Sequence, residues 1–143
     1  MSPEERASRS AAAMRAKDRA ADWFGHDLVA VGPGTAIVRM RVRDEHLNGH
    51  NICHGGIIFT LADTAFAYAC NSYNRLVVAQ HNSISYLSPG KPGEMLTATA
   101  VEASRAGRSG IYDVTVTGED GRKVALFRGA SRAIDGQHFE EEA

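Results

Sequence analysis

From Ile57 to Cys70 the chain is apolar on every side of a helical wheel, with one exception. The run Ile57-Ile58-Phe59-Thr60-Leu61-Ala62-Asp63-Thr64-Ala65-Phe66-Ala67-Tyr68-Ala69-Cys70 holds a single charged side chain, Asp63. A helix apolar all round is a buried helix, so the pattern predicts a central helix that opens at His54-Gly55-Gly56 and ends near Asn71. Upstream, residues 35–43 alternate with period two. Ala36, Val38, Met40 and Val42 face one way and Arg39, Arg41 and Arg43 the other, as in a half-buried strand. A Gly32-Pro33-Gly34 turn and a short strand around 28–31 precede it.

Four more strand-like stretches follow the helix, at 76–87, 94–104, 110–117 and 123–133, the last two joined through the hairpin signal Glu119-Asp120-Gly121. Strands in succession after one helix predict an α+β fold with an antiparallel sheet curved around a long buried helix, not a βαβ fold. Residues 3–24 are rich in Ala, Arg, Lys and Glu and predict one weakly held surface helix ending near Gly25. The expected organisation is a single domain over 1–143: an N-terminal helix (1–24), a core (25–134) and a tail (135–143).

A lone carboxylate in a buried helix is expensive unless it is paired, hydrogen-bonded or kept for chemistry. The Gly55-Gly56 pair permits close backbone approach and puts unpaired N–H groups at the helix start, where negative charge is favoured. One block thus offers a candidate base or nucleophile, Asp63, and a candidate oxyanion donor, Gly55. They are eight residues apart, about 12 Å along one helix and turned by roughly 80°, so one chain does not bring them to one reacting group. Two antiparallel copies of the helix would, and a site here is expected to be shared between subunits.

Composition narrows the classes. Apolar residues make up 43% and charged residues 23% of the 143, globular values. A net charge of −1 gives no general attraction to nucleic acid or anionic membrane. No apolar run has transmembrane length, the first residues lack a signal-peptide core, and Cys53 and Cys70 make a poor disulfide framework. A cytoplasmic protein, with neither membrane nor nucleic-acid partner, is the expectation.

The blocks Leu47-Asn48-Gly49-His50-Asn51-Ile52-Cys53-His54-Gly55-Gly56 and Leu61 to Ser72, with Tyr86-Leu87-Ser88-Pro89-Gly90 and Val124-Ala125-Leu126-Phe127-Arg128-Gly129, closely resemble the hotdog-fold acyl-CoA thioesterases. Within these the chain is most similar to the phenylacetate-degradation (PaaI) type, over about 25–134. The resemblance implies a helix wrapped by an antiparallel sheet, a dimer with a continuous sheet, a tetramer of two such dimers, and hydrolysis of an acyl-CoA such as phenylacetyl-CoA without metal or cofactor. By position it makes Asp63 the catalytic carboxylate, Gly55 the oxyanion donor, and Asn48 and His54 loop residues near the thioester. In the family the Asp comes from the subunit opposite the loop. One strand departs from the family pattern: Gln80-His81-Asn82-Ser83 stands where small residues are frequent, and places Gln80, His81 and Asn82 among the candidate substrate contacts.

Other signals carry a bland reading beside the functional one. Gly56 beside the thioester, and Phe59, Phe66 or Tyr68 as an aryl slot, are substrate-binding candidates; aromatics at helical spacing are equally core. Lys91, Arg105 and Arg108 near turns are candidates for the phosphates of coenzyme A, or ordinary charged turns. Cys53 beside His54 is a poor hydrolase pair, because adjacent side chains on extended backbone point apart. His46, His50 and His54 are spaced by four, but Asn48-Gly49 breaks a helix between them, and no metal is expected. Two other functions stay open: a hotdog hydratase or dehydratase using His54 and Asp63, and a non-catalytic acyl-CoA-binding oligomeric module.

Overall fold

The structure, a computed structural model, describes residues 1–142. Helices α1 (Pro3–Lys17), α2 (Arg19–Phe24) and α3 (Gly55–Cys70) are joined by strands β1 (Asp27–Gly32), β2 (Thr35–Arg41), β3 (Val77–Tyr86), β4 (Met95–Ala106), β5 (Ser109–Thr117) and β6 (Lys123–Ala133). All pairings are antiparallel, in the order β1-β2-β4-β5-β6-β3. The sheet packs on α3, the expected hotdog arrangement.

The expected single N-terminal helix is two. The Asp18 side chain accepts from the Ala21 N–H and caps α2, while its own N–H closes α1 on the Arg15 carbonyl, so the helical register restarts there. α1 begins with a capping box between Ser2 and Glu5 and Pro3 in its first turn. α2 ends at Gly25, whose φ of 76° is the left-handed conformation that glycine adopts without strain. The 135–142 segment is also more than a tail. The Asn74 side chain donates to the Phe139 carbonyl and the Glu141 carboxylate, and Arg6 meets Glu141 at 2.7 Å, tying α1 to the core. Ala143, the last residue of the expected tail, lies outside the described residues.

Alternation along β2 is as read: Ala36, Val38, Met40 and Val42 are buried beneath α3 with Leu96, Val114, Val116 and Val124. On α3, Leu61, Ala62, Ala65, Phe66 and Ala69 are sealed. Phe66 lies under Gly129, where an added Cβ would sit 2.7 Å from its ring. Truncating Phe66 to Ala would cost about 3–5 kcal/mol. The helix is not covered on every side, however. Gly56 is exposed and Ile57, Phe59, Thr60, Asp63, Thr64 and Ala67 are half-buried, a stripe at helical spacing left open by the single chain. Among the described residues no helix is long and apolar enough to cross a membrane.

Beneath the N-terminal helices His26 is 5% exposed, stacked on Phe24 at 5.5 Å, and neither ring nitrogen has a partner among the described residues. Burial pushes its pKa down to about 4, against about 6.5 in an unfolded chain. The folded state therefore resists a proton that the unfolded state accepts. Stability from His26 is complete above about 6.5 and is lost as pH falls towards about 4. Chemical denaturation across this window should give a shallower pH dependence for His26→Phe than for the wild type; parallel curves would refute the assignment.

Candidate active site

The loop before α3 is organised by Asn48. Its Oδ1 accepts from the His50 and Ile52 N–H groups at 2.9 and 3.4 Å, and its main chain pairs with Ile52, a turn that lets Asn51 take φ 60°. The chain then enters α3 through His54, whose Nδ1 accepts from the Gly56 N–H at 2.9 Å. His54 is thus the helix cap and Gly56 its donor. The Gly55 N–H has no acceptor among the described residues. An amide left free at the positive end of a helix is an oxyanion site in waiting.

Gly55 is held from the other side by a residue that sequence reading left without a role. The Tyr86 hydroxyl donates to the Gly55 carbonyl at 2.8 Å, and a Cβ on Gly55 would come within 3.2 Å of the Tyr86 ring. Glycine is needed here for close approach. Asn48, Ile52, Cys53, Gly55, Ile58, Tyr86, Leu87, Ser88 and Pro89 line a cleft of about 370 Å³, within the size range of small-ligand sites.

Asp63 is half-buried. Burial pushes its carboxyl up from the ordinary value, and a hydrogen bond from Asn82 Nδ2 to Asp63 Oδ1, 3.0 Å long, pulls the other way. The free Gly55 amide and the perturbed Asp63 carboxylate occupy separate turns of α3 in one chain.

The other candidates divide. Phe59 is half-buried, edge-on to Phe127 at 5.4 Å. Phe66 is 1% exposed and packs on Tyr112 and Phe127, so it is core and not a pocket wall. Tyr68 is likewise sealed, its hydroxyl without a partner among the described residues. Gln80 is an extra residue in β3, exposed at a bulge, and His81 falls on the outer face of the sheet, away from Asp63. Lys91 sits in the β3–β4 turn among Glu94, Glu119, Asp120 and Arg122, acidic surroundings that suit a phosphate poorly. Arg105 lies 3.5 Å over the Tyr73 ring and 3.5 Å from Glu102, and Arg108 lies 3.6 Å from Asp135. Both arginines line a recess with Cys70, at the end of α3 opposite Gly55 and about 22 Å from it along the helix.

The cysteine and histidine alternatives find other work. Cys53 is 3% exposed and burial pushes its thiol up to about 11, the reverse of a nucleophile. His46 is buried with Nδ1 accepting from the Arg43 N–H at 3.0 Å, while His50 is exposed in the loop turn.

The profile of the thioesterase superfamily matches residues 50–125, which take in His54, Gly55, Asp63, Asn82 and Tyr86. The chain is similar to the acyl-coenzyme A thioesterase PaaI of Escherichia coli strain K12, with 44% identity over 131 residues, 92% of this chain and 94% of that protein. The solved structure of the E. coli PaaI protein from the phenylacetic acid degradation operon superposes with a TM-score of 0.93 at 43% identity, covering 95% of this chain and 99% of that one. A Streptococcus mutans UA159 protein solved with bound acetyl CoA gives a TM-score of 0.75 at 30% identity, covering 78% and 90%.

Proposed function

The chain belongs to the thioesterase superfamily and is an acyl-CoA thioesterase of the PaaI type, and from that premise we propose that it hydrolyses aryl-acetyl-CoA thioesters such as phenylacetyl-CoA and its hydroxylated relatives. The observation that carries the site is the free Gly55 N–H at the start of α3, opening on the cleft beside Asn48 and Tyr86. The thioester oxygen sits on that amide. Asp63 takes a proton from water as the water oxygen attacks the carbonyl carbon, and the displaced electron pair collects on the oxygen facing Gly55. Collapse breaks the C–S bond, and the proton held by Asp63 passes to the CoA thiolate. Direct attack by Asp63 would use the same parts through an anhydride. Neither route calls for a metal or a bound cofactor.

The active unit in this reading is a dimer, with two such dimers in a tetramer. The open stripe on α3 meets its antiparallel copy, and the exposed β3 edge, carrying Val78 and Tyr86, continues into the partner's sheet. This sets Asp63 of one chain against Gly55 of the other. The partner helix then runs seven residues, about 10 Å, past its Asp63. Its end brings Arg105 and Arg108 of the partner subunit towards the outer part of a bound CoA, where guanidinium groups suit phosphate. Phe59, on the open stripe, lies along the acyl side.

Free thiol released from a panel of acyl-CoA substrates tests the reading. Phenylacetyl- and hydroxyphenylacetyl-CoA are expected to give the highest kcat/KM. Much higher values for long-chain acyl-CoA would end the aryl assignment. Loss of enoyl absorbance without thiol release would make the protein a hydratase, and binding without turnover an acyl-CoA-binding module.

A further inference from the structure

The strand that faces Asp63 contains an irregularity that decides which side chain reaches it. Pairing of β3 with β6 passes from Ala79 opposite Ser131 to His81 opposite Ala130, so Gln80 has no partner and forms a bulge. Paired residues of an antiparallel sheet share a face. Before the bulge, Val77 and Ala79 share the inner face with Ala133 and Ser131; after it, Asn82, Ile84 and Tyr86 share it with Gly129, Phe127 and Ala125. Were Gln80 itself paired with Ala130, in unbroken alternation from Ala79, His81 and Ser83 would look at the helix instead.

Asn82 is engaged on one side only. Its Nδ2 donates to Asp63 Oδ1 at 3.0 Å, while its own Oδ1 is sealed from solvent with no donor among the described residues. Asp63 Oδ2 has no hydrogen-bond partner among the described residues either, yet it is not among the sealed atoms. A buried amide with its carbonyl orphaned weakens the fold. Such local cost, placed against a half-buried carboxylate and beside a bulge, marks a functional position.

We infer that Asn82 is a positioning residue for the hydrolysis: it pins Asp63 Oδ1 and leaves Oδ2 as the one oxygen free to take the proton of the attacking water. This rests on the reading of Asp63 as the catalytic carboxylate. The donated bond also favours the charged form, which burial alone disfavours. No cation or second carboxylate from β3, β5 or β6 acts on Asp63; the titratable neighbour is Cys70 on α3, whose thiol is pushed up to about 12 and stays neutral. Asp63 works as a base only when deprotonated, so activity falls as pH drops through its pKa. With the Asn82 donor gone, burial acts unopposed and that fall begins at higher pH.

The experiment is the pH profile of kcat/KM for the full-length protein carrying Asn82→Leu, with thiol release as readout. The expected result is a loss of about tenfold in kcat with KM little changed, an acid limb displaced to higher pH, and thermal stability kept or raised because the orphaned carbonyl has gone. Asn82→Ala, smaller than the native side chain and unable to overpack the strand, also withdraws the amide, offers no donor in its place and should show the same displaced limb. A wild-type limb in either folded variant overturns the inference, and so does a loss of activity explained by a matching loss of Tm. If Asp63→Asn abolishes turnover while the Asn82 variants behave as wild type, only this inference falls. If the wild type releases no thiol, or Asp63→Asn is fully active, the functional reading itself falls.

Discussion

Asp63→Asn is expected to lower kcat by at least about a hundredfold, since a general base contributes about 10²–10⁴ in rate and a covalent nucleophile more. The substitution keeps the volume of the side chain. Its amide still accepts from Asn82 Nδ2, and its own N–H groups are donors for the orphaned Asn82 Oδ1. The loss is therefore of charge and basicity alone. Because that basicity acts in the transition state, KM should change little. Stability should hold or rise, since burial disfavours the charged carboxyl that the variant lacks. Initial rates of thiol release across substrate concentrations, with a thermal melt beside them, decide the matter. Full activity in a folded Asp63→Asn protein would end the mechanism.

Mixing two inactive variants should restore activity. Gly55→Pro removes the free N–H at the start of α3, and deletion of one oxyanion donor costs about 10²–10³ in kcat. Proline suits the first position of a helix, and His54, with φ −59° and ψ 135°, already has the extended backbone that must precede it. The ring presses on Tyr86, 3.2 Å from the added Cβ, so the variant's melting curve must be recorded too. If Asp63 and Gly55 act from opposite chains, a heterodimer with Asp63→Asn has one doubly damaged site and one intact site. Random subunit exchange should then give roughly a quarter of wild-type activity from two nearly dead parents. If both residues acted from one chain, no intact site would exist in any mixture. Verified heterodimers that stay inactive would exclude the shared site and the dimer built on it.

How much of this was legible in the sequence follows from the range of each interaction. The limits of α3 were readable because an apolar run after His54-Gly55-Gly56 and before Asn71 is a local signal, and the start of β2 and the limits of β6 because alternation and turn residues are local too, although β2 stops at Arg41, two residues before the alternation does. The eight-residue separation of Gly55 and Asp63 puts them on separate turns of one helix, since helix geometry is invariant, and this is the ground on which a second chain is proposed. The Asn48–Gly56 block carried the resemblance because an N-capped helix start with a free amide needs particular residues in a particular order.

What escaped the sequence depended on partners distant in the chain. The break at Asp18 turned on one cap competing with a strong helical propensity. Phe66 and Phe59 have the same chemistry, yet Phe66 sank into the core because Gly129, 63 residues later, leaves space for its ring, while Phe59 stayed half open. Arg105 and Arg108 look like neighbours of Lys91 along the chain, but β4 carries them to the opposite end of α3. The bulge at Gln80 has the largest consequence. Alternation has period two, so one added residue exchanges the faces of every residue after it, and no local pattern announces it. The sequence by itself determined the six strands, the central helix, their order, and the glycine pair and lone carboxylate that helix carries. Only the tertiary structure decided that Asn82, and not His81 or Ser83, meets Asp63, and that Tyr86 closes on Gly55, because pairing with β6 sets the face on which each side chain lies.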